Sequence, residues 1–209
     1  MLLERLRSPP LRDPLVLALP RGGVPVGFQI ATGLGAEMDV LIVRKLGAPD
    51  QPELAIGAVI DGGSPEIVLN DRLISSLGVS REYLDRETDD QLHEIERRKE
   101  KYRGKRPDPS VEGRPVIVVD DGIATGATVK TALTALRRRK PSRLILAVPL
   151  APPDAFAALR AEVDQAVCLL LPADFQAVGQ FYDDFHPIGD HEVVDLLEKA
   201  RKFRAERPR

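Results

Sequence analysis

The residues best able to do chemistry in this 209-residue chain lie in one stretch, Val116–Leu133, VIVVDDGIATGATVKTAL. An apolar run ends in Asp120 and Asp121. A loop of small residues follows, Ala124-Thr125-Gly126-Ala127-Thr128, and opens a helical stretch. Small side chains let backbone N–H groups approach an anion closely, and a helix N-terminus adds the positive end of its dipole. The hydroxyls of Thr125 and Thr128 add donors. Two carboxylates beside such a cradle would repel a phosphate on its own. They make sense when the ligand also carries vicinal hydroxyls or a divalent cation, as a sugar phosphate does. No Gly-Lys-Ser or Gly-Lys-Thr follows the glycine, so this is not a Walker loop, and the G-x-G-x-x-G dinucleotide pattern is absent.

Such a loop needs a scaffold, and the sequence supplies one. Five apolar runs have the Val, Ile and Leu content of strands buried on both faces: Leu15–Leu19, Met38–Lys45, Pro115–Asp120, Arg143–Leu150 and Gln165–Leu171. Helical stretches at Pro25–Thr32, Ala127–Arg139 and Pro153–Glu162 fall between them. Alternating strands and helices predict an α/β, doubly wound, mostly parallel five-stranded sheet with flanking helices, in one domain over 1–209. An excursion over 55–113 interrupts it. Ala55–Asp61 and Glu66–Leu69 read as a hairpin around Gly62-Gly63-Ser64-Pro65, followed by a short helix from Asp71 and a long one from Ser80 to about Arg103. That long helix is densely charged, with a thin stripe of Leu84, Leu92, Ile95 and Tyr102. It is expected to lie on the body; a lid or the arm of a homodimer is the alternative. Residues 172–209 form a C-terminal hood segment and a final helix.

The segment VIVVDDGIATGAT resembles the PRPP (phosphoribosyl diphosphate) motif of the type I phosphoribosyltransferases. The resemblance implies that Asp120 and Asp121 hold the ribose hydroxyls and that Ala124, Thr125, Gly126, Ala127 and Thr128 hold the 5′-phosphate. Two further segments are similar to the family's. Leu19–Gly27, LPRGGVPVG, resembles the pyrophosphate loop, which uses backbone N–H groups and a non-proline cis peptide; Arg21, Gly22 and Gly23 would serve there. Arg44 and Lys45 end the second predicted strand, where family members place cations near the diphosphate. Gly47–Gln51 resembles the family's mobile closing loop, with Glu53 at its far end.

The resemblance implies a transferase in which a nitrogenous acceptor displaces pyrophosphate from C1′ of PRPP. It also implies an oxocarbenium-like transition state and a Mg²⁺ held mainly by ligand oxygens and water, without a dedicated protein metal site. Arg21, Lys45, Asp120 and Asp121 are the expected catalytic group. The acceptor is not legible. Many 6-oxopurine enzymes carry an acid where this chain has Ala124, and an amidotransferase would need an N-terminal cysteine. Phe181 and Tyr182, with Phe185 nearby, are candidates for stacking on the acceptor, or they anchor the tail to the core. The alternative function is a PRPP-binding regulator without transferase activity.

Composition narrows the classes further. Thirty Lys+Arg against 32 Asp+Glu give a net charge of −2, which excludes nucleic-acid binding driven by bulk charge. The single Cys168 excludes a disulfide framework and is expected to be an inert core residue. No apolar run approaches the roughly 20 residues of a membrane span, and the charged Met1–Pro10 segment does not suit a secretory signal. A cytoplasmic location and small-molecule partners are the resulting expectation.

Overall fold

The structure, a computed structural model, describes residues 1–62 and 65–206. In chain order its first elements are α1 (Leu2–Leu6), β1 (Leu15–Ala18), α2 (Gly23–Leu34), β2 (Glu37–Val40), β3 (Val43–Ala48), β4 (Gln51–Ile60) and β5 (Glu66–Leu69). Then come α3 (Asp71–Leu77), α4 (Arg81–Arg103), β6 (Pro115–Val119), α5 (Ala127–Arg138), β7 (Arg143–Leu150), α6 (Pro153–Arg160), β8 (Gln165–Leu170) and α7 (Asp190–Ala205).

Five strands form one parallel sheet in the order β2-β1-β6-β7-β8. Side chains alternate across it. Val16, Ala18, Ile117 and Val119 join α2, α4 and α7 in one core, while Leu15, Leu17, Val116 and Val118 join α5 and α6 in the other. Strand order reverses between β1 and β6. From β1 the chain moves outward through α2 to β2, and β6 then returns to the other side of β1. A crevice at the carboxyl ends of two such strands is where open α/β sheets bind ligands. Cys168 is buried in the second core, as its apolar setting implies.

The run Met38–Lys45 is not one strand. β2 ends at Val40; Leu41 N still donates to Ala18 O at 2.9 Å, and then Ile42 N donates to Asp61 Oδ1 at 2.8 Å as the chain leaves the sheet. β3, β4 and β5 form a separate antiparallel sheet. The Gly47–Gln51 segment is likewise not a loop. It is the end of a hairpin in which only Pro49 and Asp50 turn, with Asp50 in the left-handed region (φ 60) that Asp tolerates. Of the expected turn after β4, Gly63 and Ser64 lie outside the described residues.

The long helix lies on the body as expected. Ser80 Oγ accepts from Tyr83 N at 3.2 Å, a side-chain cap, and Ile95 and Tyr102 are fully buried. Tyr83, Glu87 and Gln91 on α4 bind the hairpin: Tyr83 Oη donates to Gly47 O at 3.0 Å, and Gly47 N donates to Glu87 Oε1 at 3.3 Å. Among the described residues no helix is long and apolar enough to cross a membrane.

Beneath the hairpin lies a buried ionic node that no sequence signal announces. Arg103 meets Asp39 at 2.8 Å, Asp61 at 2.6 Å and Asp108 at 2.5 Å, and also donates to Val40 O. Burial pushes the Asp39 and Asp61 carboxyls up, while the guanidinium pulls them down. From sequence, an arginine in the last turn of a charged helix reads as a solvated partner of the dipole, and nothing marks its burial.

Candidate functional site

The site is built where β1 and β6 end side by side. Ala18 is opposite Val119, and Leu19 N donates to Val119 O at 2.8 Å. The two loops therefore leave the sheet in contact. The first turns immediately through a cis Pro20–Arg21 peptide and enters α2 at Gly23. The second places Asp120 and Asp121 against it. A Cβ on Gly22 would stand 2.5 Å from Asp121 Cγ and overlap its Oδ2. On Gly23, a Cβ would stand 2.7 Å from Val119 O and 3.0 Å from Asp120 Cα. Both glycines are thus required by close approach, and segments about 100 residues apart share one crevice.

Asp120 and Asp121 are half-buried neighbours, and Asp121 N donates to Asp120 Oδ1 at 2.9 Å. Burial, and then the adjacent Asp121 carboxylate, push Asp120 well above the usual carboxylate range. The pair therefore favours a cation or hydroxyl donors beside it. After it, Ala124, Thr125, Ala127 and Thr128 are exposed and form an open rim. Gly126 has φ 76, a left-handed conformation that suits glycine, and turns the chain into α5. The first-turn N–H groups of α5 have no intrahelical acceptors; Ala127 N donates weakly to Thr125 Oγ1 at 3.5 Å, and Thr128 N and Val129 N present donors at the rim.

Arg21 is exposed beside the acid pair's loop, and its positive charge reaches Tyr102 and Asp190. Asp190, the first residue of α7, accepts from Lys101 Nζ and from Tyr102 Oη, each at 2.6 Å. These bonds hold its carboxyl down at about 2, while burial and Asp190 push Tyr102 up to about 12. In sequence Asp190 reads only as an acid at a helix start.

The structure separates Arg44 from Lys45. Neither ends a strand of the parallel sheet; both lie in β3, where alternation turns them to opposite faces. Arg44 Nε donates to Gln91 Oε1 on α4 at 2.9 Å. Lys45 shares the face of Val43, which packs in the core of α5, and pairs with the exposed Glu53 at 2.6 Å.

The hood reaches the acid pair through Tyr182, whose Oη donates to Asp121 O at 2.5 Å. Burial, then Asp121 and Asp120, push this phenol up to about 12. A Cβ on Gly122 would meet Val178 Cγ1 at 2.7 Å, so the hood sits directly on the loop. Phe181 stacks on Phe175 with centroids 6.0 Å apart. Phe181 and Tyr182 together line a recess of about 570 Å³ whose other walls include Leu150, Leu169 and Leu170. His186 is exposed and pairs with Asp184 at 3.2 Å.

A family model described as Phosphoribosyl transferase domain matches residues 2–186. Proteins of two Mycobacterium tuberculosis strains, CDC 1551 and H37Rv, are 44% identical over 205 residues, and their names place them among the phosphoribosyl transferases. That alignment takes in 98% of this chain and 46% of theirs, so the chain spans about half the length of the curated relatives it matches. The crystal structure of TT1426 from Thermus thermophilus is 43% identical, with a TM-score of 0.83, covering 95% of this chain and 93% of that one.

Proposed function

The chain belongs to the phosphoribosyl transferase domain family, and on that footing we propose that it transfers the phosphoribosyl group of PRPP to a nitrogenous acceptor. The observation that carries this reading is the close contact of Gly22 and Gly23 with Asp121 and Asp120, which brings the two loops together at the carboxyl ends of β1 and β6 with no space for a Cβ. In this role Asp120 and Asp121 accept from the ribose 2′- and 3′-hydroxyls. The rim 124–128 donates to the 5′-phosphate, and the backbone of residues 21–23 faces the diphosphate.

The residues present fit a Mg²⁺ ion carried in by PRPP, because a raised carboxyl beside a second carboxylate is relieved by a cation. Bound there, the ion would offset negative charge on the diphosphate. The bond from C1′ to the diphosphate oxygen breaks, the bond from C1′ to the acceptor nitrogen forms, and the acceptor N–H proton passes to water. Negative charge grows on the leaving diphosphate, so fixed cations at that end lower the barrier. Arg21 and Lys45 are assigned this role. The exposed Lys45–Glu53 pair is worth little in water, so Lys45 exchanges Glu53 for a diphosphate at small cost.

The acceptor is assigned to the recess beside Tyr182. Its walls are apolar and aromatic apart from Glu4 and Arg5, and its volume suits a flat heterocycle. The test is pyrophosphate release from Mg²⁺·PRPP across a panel of purines, pyrimidines and amines. Release that depends on one acceptor supports the transferase. Tight PRPP binding with no acceptor-dependent release from the panel supports the regulator instead.

A further inference from the structure

A cavity of about 1320 Å³ opens where β1 and β2 begin, at the opposite end of the sheet from Asp120 and Asp121. Its walls carry Arg12, Arg106, Arg201 and Arg204. The acids there are already engaged. Asp13 and Glu37 each pair with both Arg114 and Arg204, at 2.8 to 3.2 Å, so two cations cancel two anions. Asp39 belongs to the Arg103 node. Arg106 donates Nε to Arg103 O at 2.5 Å and Nη2 to Tyr102 O at 2.9 Å, capping the end of α4.

Two guanidinium groups remain. Among the described residues, neither Arg12 nor Arg201 forms an ion pair with a carboxylate. Arg201 commits Nε to Leu197 O at 2.9 Å, while its Nη2 is buried without an acceptor. A buried donor of this kind calls for an acceptor. The rest of the wall includes Leu34, Pro107 and Pro109, which are apolar and at least partly exposed, over a floor of the buried Met38, Leu197 and Ala200. Positions 197, 200, 201 and 204 recur at helical spacing, so one face of α7 sets two arginines beside the buried Leu197 and Ala200.

We propose that this cavity is a second binding site, for a phosphomonoester on a heterocyclic body, such as a nucleoside monophosphate. The guanidiniums of Arg12 and Arg201, neither paired with a carboxylate, match the charge of a phosphate dianion, and the guanidinium fork matches its geometry. The apolar wall takes the body. PRPP, bound at the other end of the sheet, does not compete for it.

The experiment is calorimetric titration of AMP into the parent chain, an Arg12→Gln/Arg201→Gln variant and an Asp120→Asn/Asp121→Asn variant. AMP affinity is expected to hold within about threefold in the Asp variant. In the Arg variant it should fall about a hundredfold, because both guanidinium–phosphate bonds are removed. Adenosine, lacking the phosphate, should bind at least about tenfold more weakly than AMP. Loss of AMP binding in the Asp variant with no change in the Arg variant would place the ligand in the PRPP crevice and overturn the proposal. So would equal affinity for adenosine and AMP, or no saturable binding of AMP, GMP, CMP or UMP up to about 1 mM. If Arg201→Gln disturbs folding, Arg12→Gln alone, on the loop before β1, should still weaken AMP about tenfold, and an unchanged affinity there overturns the site.

Discussion

Gly22→Ala isolates the contact on which the site depends. Gly22 has φ −59 and ψ −35, a conformation alanine adopts freely, so the backbone imposes no penalty. The added methyl would stand 2.5 Å from Asp121 Cγ, whereas ordinary contact begins near 3.4 Å. The Asp121 carboxyl must retreat by about 1 Å, which breaks its charged hydrogen bond to a ribose hydroxyl, a loss of about 1.5–3 kcal/mol. Affinity for Mg²⁺·PRPP, measured by calorimetry, should therefore weaken about a hundredfold, or about 2.7 kcal/mol. Thermal stability should change little, because a side chain at the rim yields rather than the core. Gly189→Ala is the control: its Cβ meets nothing within 4 Å, and PRPP affinity should not change. A folded Gly22→Ala protein that binds PRPP within about threefold of the parent would refute the reasoning.

Further outcomes are expected elsewhere. Arg103→Met leaves Asp39, Asp61 and Asp108 without their shared buried cation, and urea unfolding should show a loss of about 3–5 kcal/mol. Arg103→Lys should not restore it, since one ammonium cannot span the three carboxylates and Val40 O. Tyr182→Phe removes the bond to Asp121 O while keeping the ring against Phe185, and should cost about 1 kcal/mol in the same assay. Asp190, held down at about 2 by Lys101 and Tyr102, contributes stability that is present above its ordinary 3.8 and lost as pH falls through about 2. The gap in melting temperature between the parent and Asp190→Asn should therefore shrink as pH is lowered across that window, and a constant gap would contradict the assignment.

The parallel sheet and both crevice loops are legible in the sequence because their signals are local. Continuous Val, Ile and Leu mark β1, β6 and β7. The small residues after Asp120-Asp121 sit at a strand-to-helix junction, and Leu19–Gly27 resembles a loop known for its cis peptide. The break inside Met38–Lys45 is not legible, because Leu41 and Ile42 continue the apolar pattern with no Gly or Pro between them. What ends β2 is tertiary, the arrival of Asp61 at Ile42 N and of Arg103 at Val40 O. That break moves Arg44 and Lys45 from the end of a core strand to opposite faces of a hairpin strand. The hairpin end at Gly47–Gln51 reads as a loop from its Gly and Pro, although Pro49-Asp50 is itself a two-residue turn signal. Tyr182 stands out in sequence for its ring, but its hydroxyl bond to Asp121 O depends on a fold contact 61 residues away in sequence.

The most direct measurement is Mg²⁺·PRPP binding to the parent and to Asp120→Asn/Asp121→Asn. If the acid pair holds the ribose hydroxyls, the parent binds PRPP and the variant, folded and with the same melting profile, binds at least about a hundredfold more weakly. Equal binding by the two proteins would contradict the assignment of the crevice.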